Sequence, residues 1–92
     1  MPNSFFKDPS AVLEYTWDWS LWLAEVADTI SSATVAVSGE ITAVGSPVVN
    51  DSAVTQVVSG GEVGGACSMV CQIVTVGGLI DERSIYLTII DR

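Results

Sequence analysis

Histidine is absent from this 92-residue chain and basic residues are scarce: three Lys and Arg stand against eleven Asp and Glu, for a formal net charge of −8. Without an imidazole there is no Ser-His or Cys-His pair to activate a nucleophile, and the commonest metal-ligating side chain is missing as well. Binding to nucleic acid is excluded because phosphate affinity comes from clustered Lys and Arg. Attraction to an anionic membrane surface is excluded on the same ground. Long apolar runs are missing too. No stretch reaches the roughly 18 residues that cross a bilayer. The opening MPNSFFKDPS has one lysine and no apolar core of the kind a signal peptide needs. A soluble protein without a secretory address is expected.

Cysteine is limited to Cys67 and Cys71, four apart in ACSMVCQIVTV. That segment reads as strand, where four residues span about 13 Å, too far for a disulfide. Zinc would require further ligands at a suitable spacing. Both are therefore expected as reduced, buried, small hydrophobes in a reducing cytoplasm, with no metal and no cofactor. The glycines of SGGEVGG, Ser59 to Gly65, precede a strand rather than a helix and make no phosphate cradle, and no Walker-type loop carries a lysine. Asp81 and Glu82 stand beside Arg83 in an expected hairpin loop and read as a solvated ion pair. An enzyme is not expected.

What the chain does have is apolar character: 49% aliphatic and aromatic residues against 15% charged. It is long enough for one domain that buries only about 60 to 65% of its unfolded surface, so excess apolar surface is expected to meet a partner. Its period is two. Leu13, Tyr15, Trp17 and Trp19 alternate with Glu14, Thr16 and Asp18, which marks a half-buried strand in preference to a helix from Ser10 to Val26. A bend at Ser20 and a polar stretch from Glu25 to Asp28 follow. A strand over 30–37 turns Ala33, Val35 and Val37 one way. Ser38-Gly39-Glu40 is a turn, 41–44 a short strand, Gly45-Ser46-Pro47 a second turn and Val48-Val49 a piece of edge. Residues 53–58 form a strand whose inward face Gln56 leaves undecided. Cys67, Met69, Cys71, Ile73 and Thr75 line the next strand, and Gly77-Gly78 leads to a last one in which Ile85, Leu87 and Ile89 point inward. About seven short strands predict an all-β immunoglobulin or fibronectin type III-like sandwich over residues 10–92, preceded by an N-terminal arm, residues 1–9.

All three tryptophans lie within EYTWDWSLWL, Glu14 to Leu23. Trp17 and Trp19 share the inward row, which assigns them to the core. Trp22, beyond the bend, either closes one end of the sandwich or touches a partner. Phe5 and Phe6 stand side by side outside any periodic segment, where intrachain partners are few, so an arm that docks on a neighbour is favoured over a tail folded across the sandwich. Tyr86 and Ile90 are the outward apolar residues of the last strand. Candidate partner-binding residues are thus Phe5, Phe6, Trp22, Tyr86 and Ile90.

Four segments then resemble a family: DPSAVLEYTWDWSLWL, DTISSATVAVSGEIT, VVSGGEVGGACSMV and IVTVGGLIDERSIYLTI, together nearly the whole chain. In this order they are similar to the small immunoglobulin-like virion proteins of tailed bacteriophages described as fiber-tail adaptors. The most specific parts are D-W-S-x-W-L at Asp18 to Leu23, S-G-G at Ser59 to Gly61 and D-[DE]-R-S at Asp81 to Ser84. Val35, Cys67 and Leu79 depart from the tryptophan, tyrosine and arginine frequent at those positions. The resemblance implies a structural protein of the tail, assembled in a bacterial cytoplasm in multiple copies that contact the tail tube or nozzle and the tail fiber, with no catalytic or cofactor residue. Two other functions suit the same sandwich: a capsid decoration or head-tail connector protein, and a carbohydrate-binding module that stacks exposed tryptophans on sugars.

Overall fold

The computed structural model describes residues 4–91. Its elements are β1 (Ser4–Lys7), β2 (Leu13–Asp18), α1 (Ser20–Val26), β3 (Ile30–Ser38), β4 (Ile41–Asn50), β5 (Ala53–Gly60), β6 (Ala66–Thr75) and β7 (Ile80–Ile89). The strands form two sheets, one in the order β1-β7-β6-β3 and the other β2-β5-β4. All pairings are antiparallel except that of β1 with β7. The pairing β2-β5-β4 against β7-β6-β3 follows the order of strands B-E-D and G-F-C in immunoglobulin sandwiches, and here the first strand lies beside the last.

The inward rows expected from alternation are the core, except that Leu13, expected in the row of Tyr15 and Trp17, is exposed at the start of β2. Tyr15 and Trp17 on β2, Val54 and Val58 on β5, Cys67, Met69, Cys71 and Ile73 on β6 and Ile85, Leu87 and Ile89 on β7 are all buried, and Trp19, Leu23 and Ile41 join them. Ala33, Val35 and Val37 of β3 pack against this cluster while remaining partly exposed. Burial pushes the Cys71 thiol up to about 12, so it stays protonated and inert.

Two expectations are corrected. The bend at Ser20 is instead the start of a helix, α1, which runs on into the first two residues of the polar stretch. It has no side-chain N-cap, and the residue that caps its C-terminus, Ala27, takes a left-handed conformation at φ 51°. There the Ala27 N–H donates to the Ala24 carbonyl and the Asp28 N–H to that of Leu23, a Schellman closure made without the usual glycine. The missing cap residues are why the sequence did not announce it.

The second correction concerns residues 41–50, which are one strand rather than two pieces parted by a turn. The ladder with β5 shifts between Val44 and Val48, a bulge that holds Gly45 and Pro47. Gln56 faces inward opposite it, and its amide nitrogen donates to the carbonyls of Val44, Gly45 and Val57 at 3.3, 3.2 and 2.9 Å. A buried polar side chain persists among valines because the bulge leaves carbonyls that need a donor.

Candidate functional site

The arm divides at its first strand. Residues 4–7 are a sheet edge, paired with Tyr86, Leu87, Thr88 and Ile89 in register. Phe5 turns inward, half-buried, with its ring 5.3 Å from that of Tyr15. Phe6 turns outward and is 60% exposed; Tyr86, two positions from Phe6's register partner Thr88, is 51% exposed. These two aromatics therefore share the outer face of one sheet on neighbouring strands. Met1 lies outside the described residues.

Lys7 follows on the inner side and is fully buried. Its ammonium donates to the carbonyl of Gly60 at 2.6 Å and to that of Asp8 at 3.0 Å, which ties the edge strand to the opposite sheet. Ile90 is partly buried rather than outward, and its N–H donates to the Lys7 carbonyl at 2.9 Å. β7 ends at Ile89, so Ile90, contrary to expectation, is not one of the outward residues of that strand.

Trp22 lies elsewhere. The end of the sandwich that holds α1 also holds the turn at Ser52, whose carbonyl accepts the Trp19 N–H, and the β6–β7 hairpin, held by Asp28. Lys7 and Gly60 belong to the other end. Trp22 is half-buried against the core, and the residue beside it, Leu21, is 83% exposed. Leu21 was missed because a strand reading offers no helix face to expose it. A shallow cleft of about 480 Å³ opens nearby, lined by Ser20, Leu23, Ala24, Ala27, Asp28 and Val76 among others.

Trp19 is the other organising residue at this end. Its indole N–H donates to Asp81 Oδ2 at 2.8 Å, and the Arg83 guanidinium lies 5.0 Å from its ring centroid. Arg83 also reaches Asp81 at 3.5 Å and the Asp18 carbonyl at 2.9 Å. The pair expected in a hairpin loop is thus in strand β7, and Asp81 seals a core tryptophan. Trp17 and Trp19 are buried, which overturns a tryptophan platform for sugar. Among the described residues no group of three His, Cys, Asp or Glu could hold a metal ion.

Two carboxyls at this end are held below their usual value of 3.8. The Ser20 N–H lowers Asp18, while the Thr75 hydroxyl, then the N–H groups of Thr29 and Gly77, lower Asp28. A depressed folded-state pKa contributes stability that is fully present above the unfolded value and lost as pH falls through the folded one. The melting temperature should therefore drop as pH is taken from about 5 to about 2, and Asp28→Asn should flatten part of that drop. An identical pH profile for Asp28→Asn would remove Asp28 from the account.

A family model described as the podophage GP4 fiber-tail adaptor protein gp77 matches residues 7–88. No curated protein matches the chain.

Proposed function

As the chain belongs to the podophage GP4 fiber-tail adaptor family, we propose that it grips one of its tail neighbours through the outer face that carries Phe6 and Tyr86. The protein is a structural tail adaptor, a virion component that interacts with phage tail and fiber proteins. The observation that carries the proposed surface is the exposure of two large aromatics on adjacent strands of one face. Exposed aromatics that gather on a face mark interaction sites, and such residues dominate binding energy once water is excluded. Multiple copies on one particle make a modest contact sufficient, because avidity multiplies it. The two buried thiols suit assembly in the reducing cytoplasm of a bacterial host.

Phe5 and Ile90 serve this surface from behind, by holding β1 against the core and against the end of β7. Trp22 and Leu21 offer a second contact at the far end, which would let one small domain touch a tail protein with one end and a fiber with the other.

The double variant Phe6→Ala with Tyr86→Ala should keep the wild-type melting temperature within a few degrees, since neither side chain is in the core. It should lose its place in tails when purified particles are examined by mass spectrometry, each aromatic being worth about 2 kcal/mol or more as a hot spot. Normal incorporation of that variant would move the contact to Leu21 and Trp22.

A further inference from the structure

Four strands edge the two sheets, and three of them are blunted. β1 is only four residues long, β2 carries Glu14 and Asp18, and β4 breaks its ladder around Gly45 and Pro47. Brevity, charge, proline and bulges are the usual defences of an open edge against pairing. β3 has almost none of them. Its nine residues, ISSATVAVS, contain no charge and no proline, and its one irregularity sits at the Ile30 end. Among the described residues no strand pairs with its outer edge.

The distribution of charge selects the occupant. Strands β3, β4, β5 and β6 contain no Asp, Glu, Lys or Arg. All the charged residues described lie on β1, β2, β7 and α1 or in the connecting and terminal segments. A basic partner would settle among the carboxylates. A second copy of this chain, carrying the same −8, is repelled there and can approach closely only where charge is absent. Antiparallel pairing of identical strands is self-complementary about a two-fold axis. β4 packs beside β3 across the sandwich, and on it Val44, Val48 and Val49 are exposed.

We propose that two copies of the chain join by antiparallel pairing of their β3 strands, which merges two four-stranded sheets into one. This surface is distinct from the face of Phe6 and Tyr86, so the pairing does not depend on the role assigned to that face.

Sedimentation of the full chain at rising concentration should show a monomer–dimer equilibrium that tightens with salt, because screening weakens repulsion between two acidic bodies. Thr34→Lys with Ala36→Lys, both exposed positions on β3, should weaken the dimer tenfold or more at an unchanged melting temperature. Val12→Lys, away from the edge, and the Phe6→Ala with Tyr86→Ala variant should dimerise as wild type does. A monomer at all concentrations, a dimer that loosens with salt, or an unaffected β3 lysine variant would each overturn the proposal. Should the lysine variant fail to fold, hydrogen exchange of the wild type decides: β3 amides that slow as concentration rises support the pairing, and β3 amides that do not slow overturn it. Slowing only on addition of a tail or fiber protein would assign the edge to that partner and overturn it too.

Discussion

Replacing Trp19 by alanine is expected to lower the stability of the fold by about 3 to 5 kcal/mol, the usual cost of deleting a large buried aromatic. For a domain of this size each kcal/mol moves the melting temperature by about 4 to 8 °C, so the variant should melt at least about 12 °C lower or fail to fold. The effect has three physical sources. The side chain is fully buried, so a cavity is left in a thin core. Asp81 loses the indole donor at 2.8 Å, and Arg83 loses the ring beneath it. Conservative changes separate these contributions. Trp19→Phe keeps most of the ring and removes the N–H; Asp81 keeps Arg83 and some solvent, so the loss should be that of one hydrogen bond to a charged group, about 1.5 to 3 kcal/mol at most. Trp17→Phe should cost less, because the Trp17 indole N–H has no acceptor among the described residues. Thermal melts followed by circular dichroism would show the order Trp19→Phe below Trp17→Phe. Equal melting points would mean that the bond to Asp81 adds nothing.

Removing residues 1–7 is expected to cost about 2 to 4 kcal/mol, within the range of large single lesions in a core, and to lower the melting temperature by roughly 10 to 30 °C. The sequence reading makes these residues an arm that could be cut without harm to the fold. Their place in the structure says otherwise. β1 covers one edge of β7, whose Leu87 and Ile89 are core residues, and Phe5 covers Tyr15. The Lys7 ammonium crosses to the Gly60 carbonyl on the other sheet. Point variants apportion the loss. Lys7→Ala leaves a cavity and should be destabilising, while Lys7→Met fills the space and removes a buried charge, which is often neutral. Phe6→Ala should be close to neutral. A truncated protein that melts within about two degrees of the full chain would show that β1 adds nothing to folding, since even 1 kcal/mol is worth about 4 °C or more here.

The comparison of Phe5 with Phe6 shows where legibility ends. Adjacent residues on a strand face opposite sides, so either phenylalanine could have been the outer one. The choice depends on the register with β7, whose partners lie about eighty positions away in the chain, as in Phe6 with Thr88. Gln56 is a similar case. Alternation places it in the row of Val54 and Val58, yet a polar residue argues against an inward row until the carbonyls of a bulge on another strand are known to need it. Helix α1 escaped because seven residues without a capping side chain or a terminal glycine give too weak a local signal.

The sequence alone determined the features that depend on local order and on composition. Period-two rows marked the inward faces of β2, β3, β6 and β7, because a pleat puts every second side chain on one side whatever it packs against. The excess of acid argued against nucleic acid, which binds clustered Lys and Arg, and the lack of histidine left no Ser-His or Cys-His pair. The segments it shares with fiber-tail adaptors pointed to its family. Only the tertiary structure decided which edges are open, that Lys7 is buried, that Asp81 binds Trp19, and that residues 4–7 of the arm are a strand. Each of these depends on groups far apart in the chain, 53 residues for Lys7 and Gly60 and 62 for Trp19 and Asp81. No local pattern encodes such a meeting; it exists only after two sheets have closed on a common core and brought distant polar groups within reach of one another.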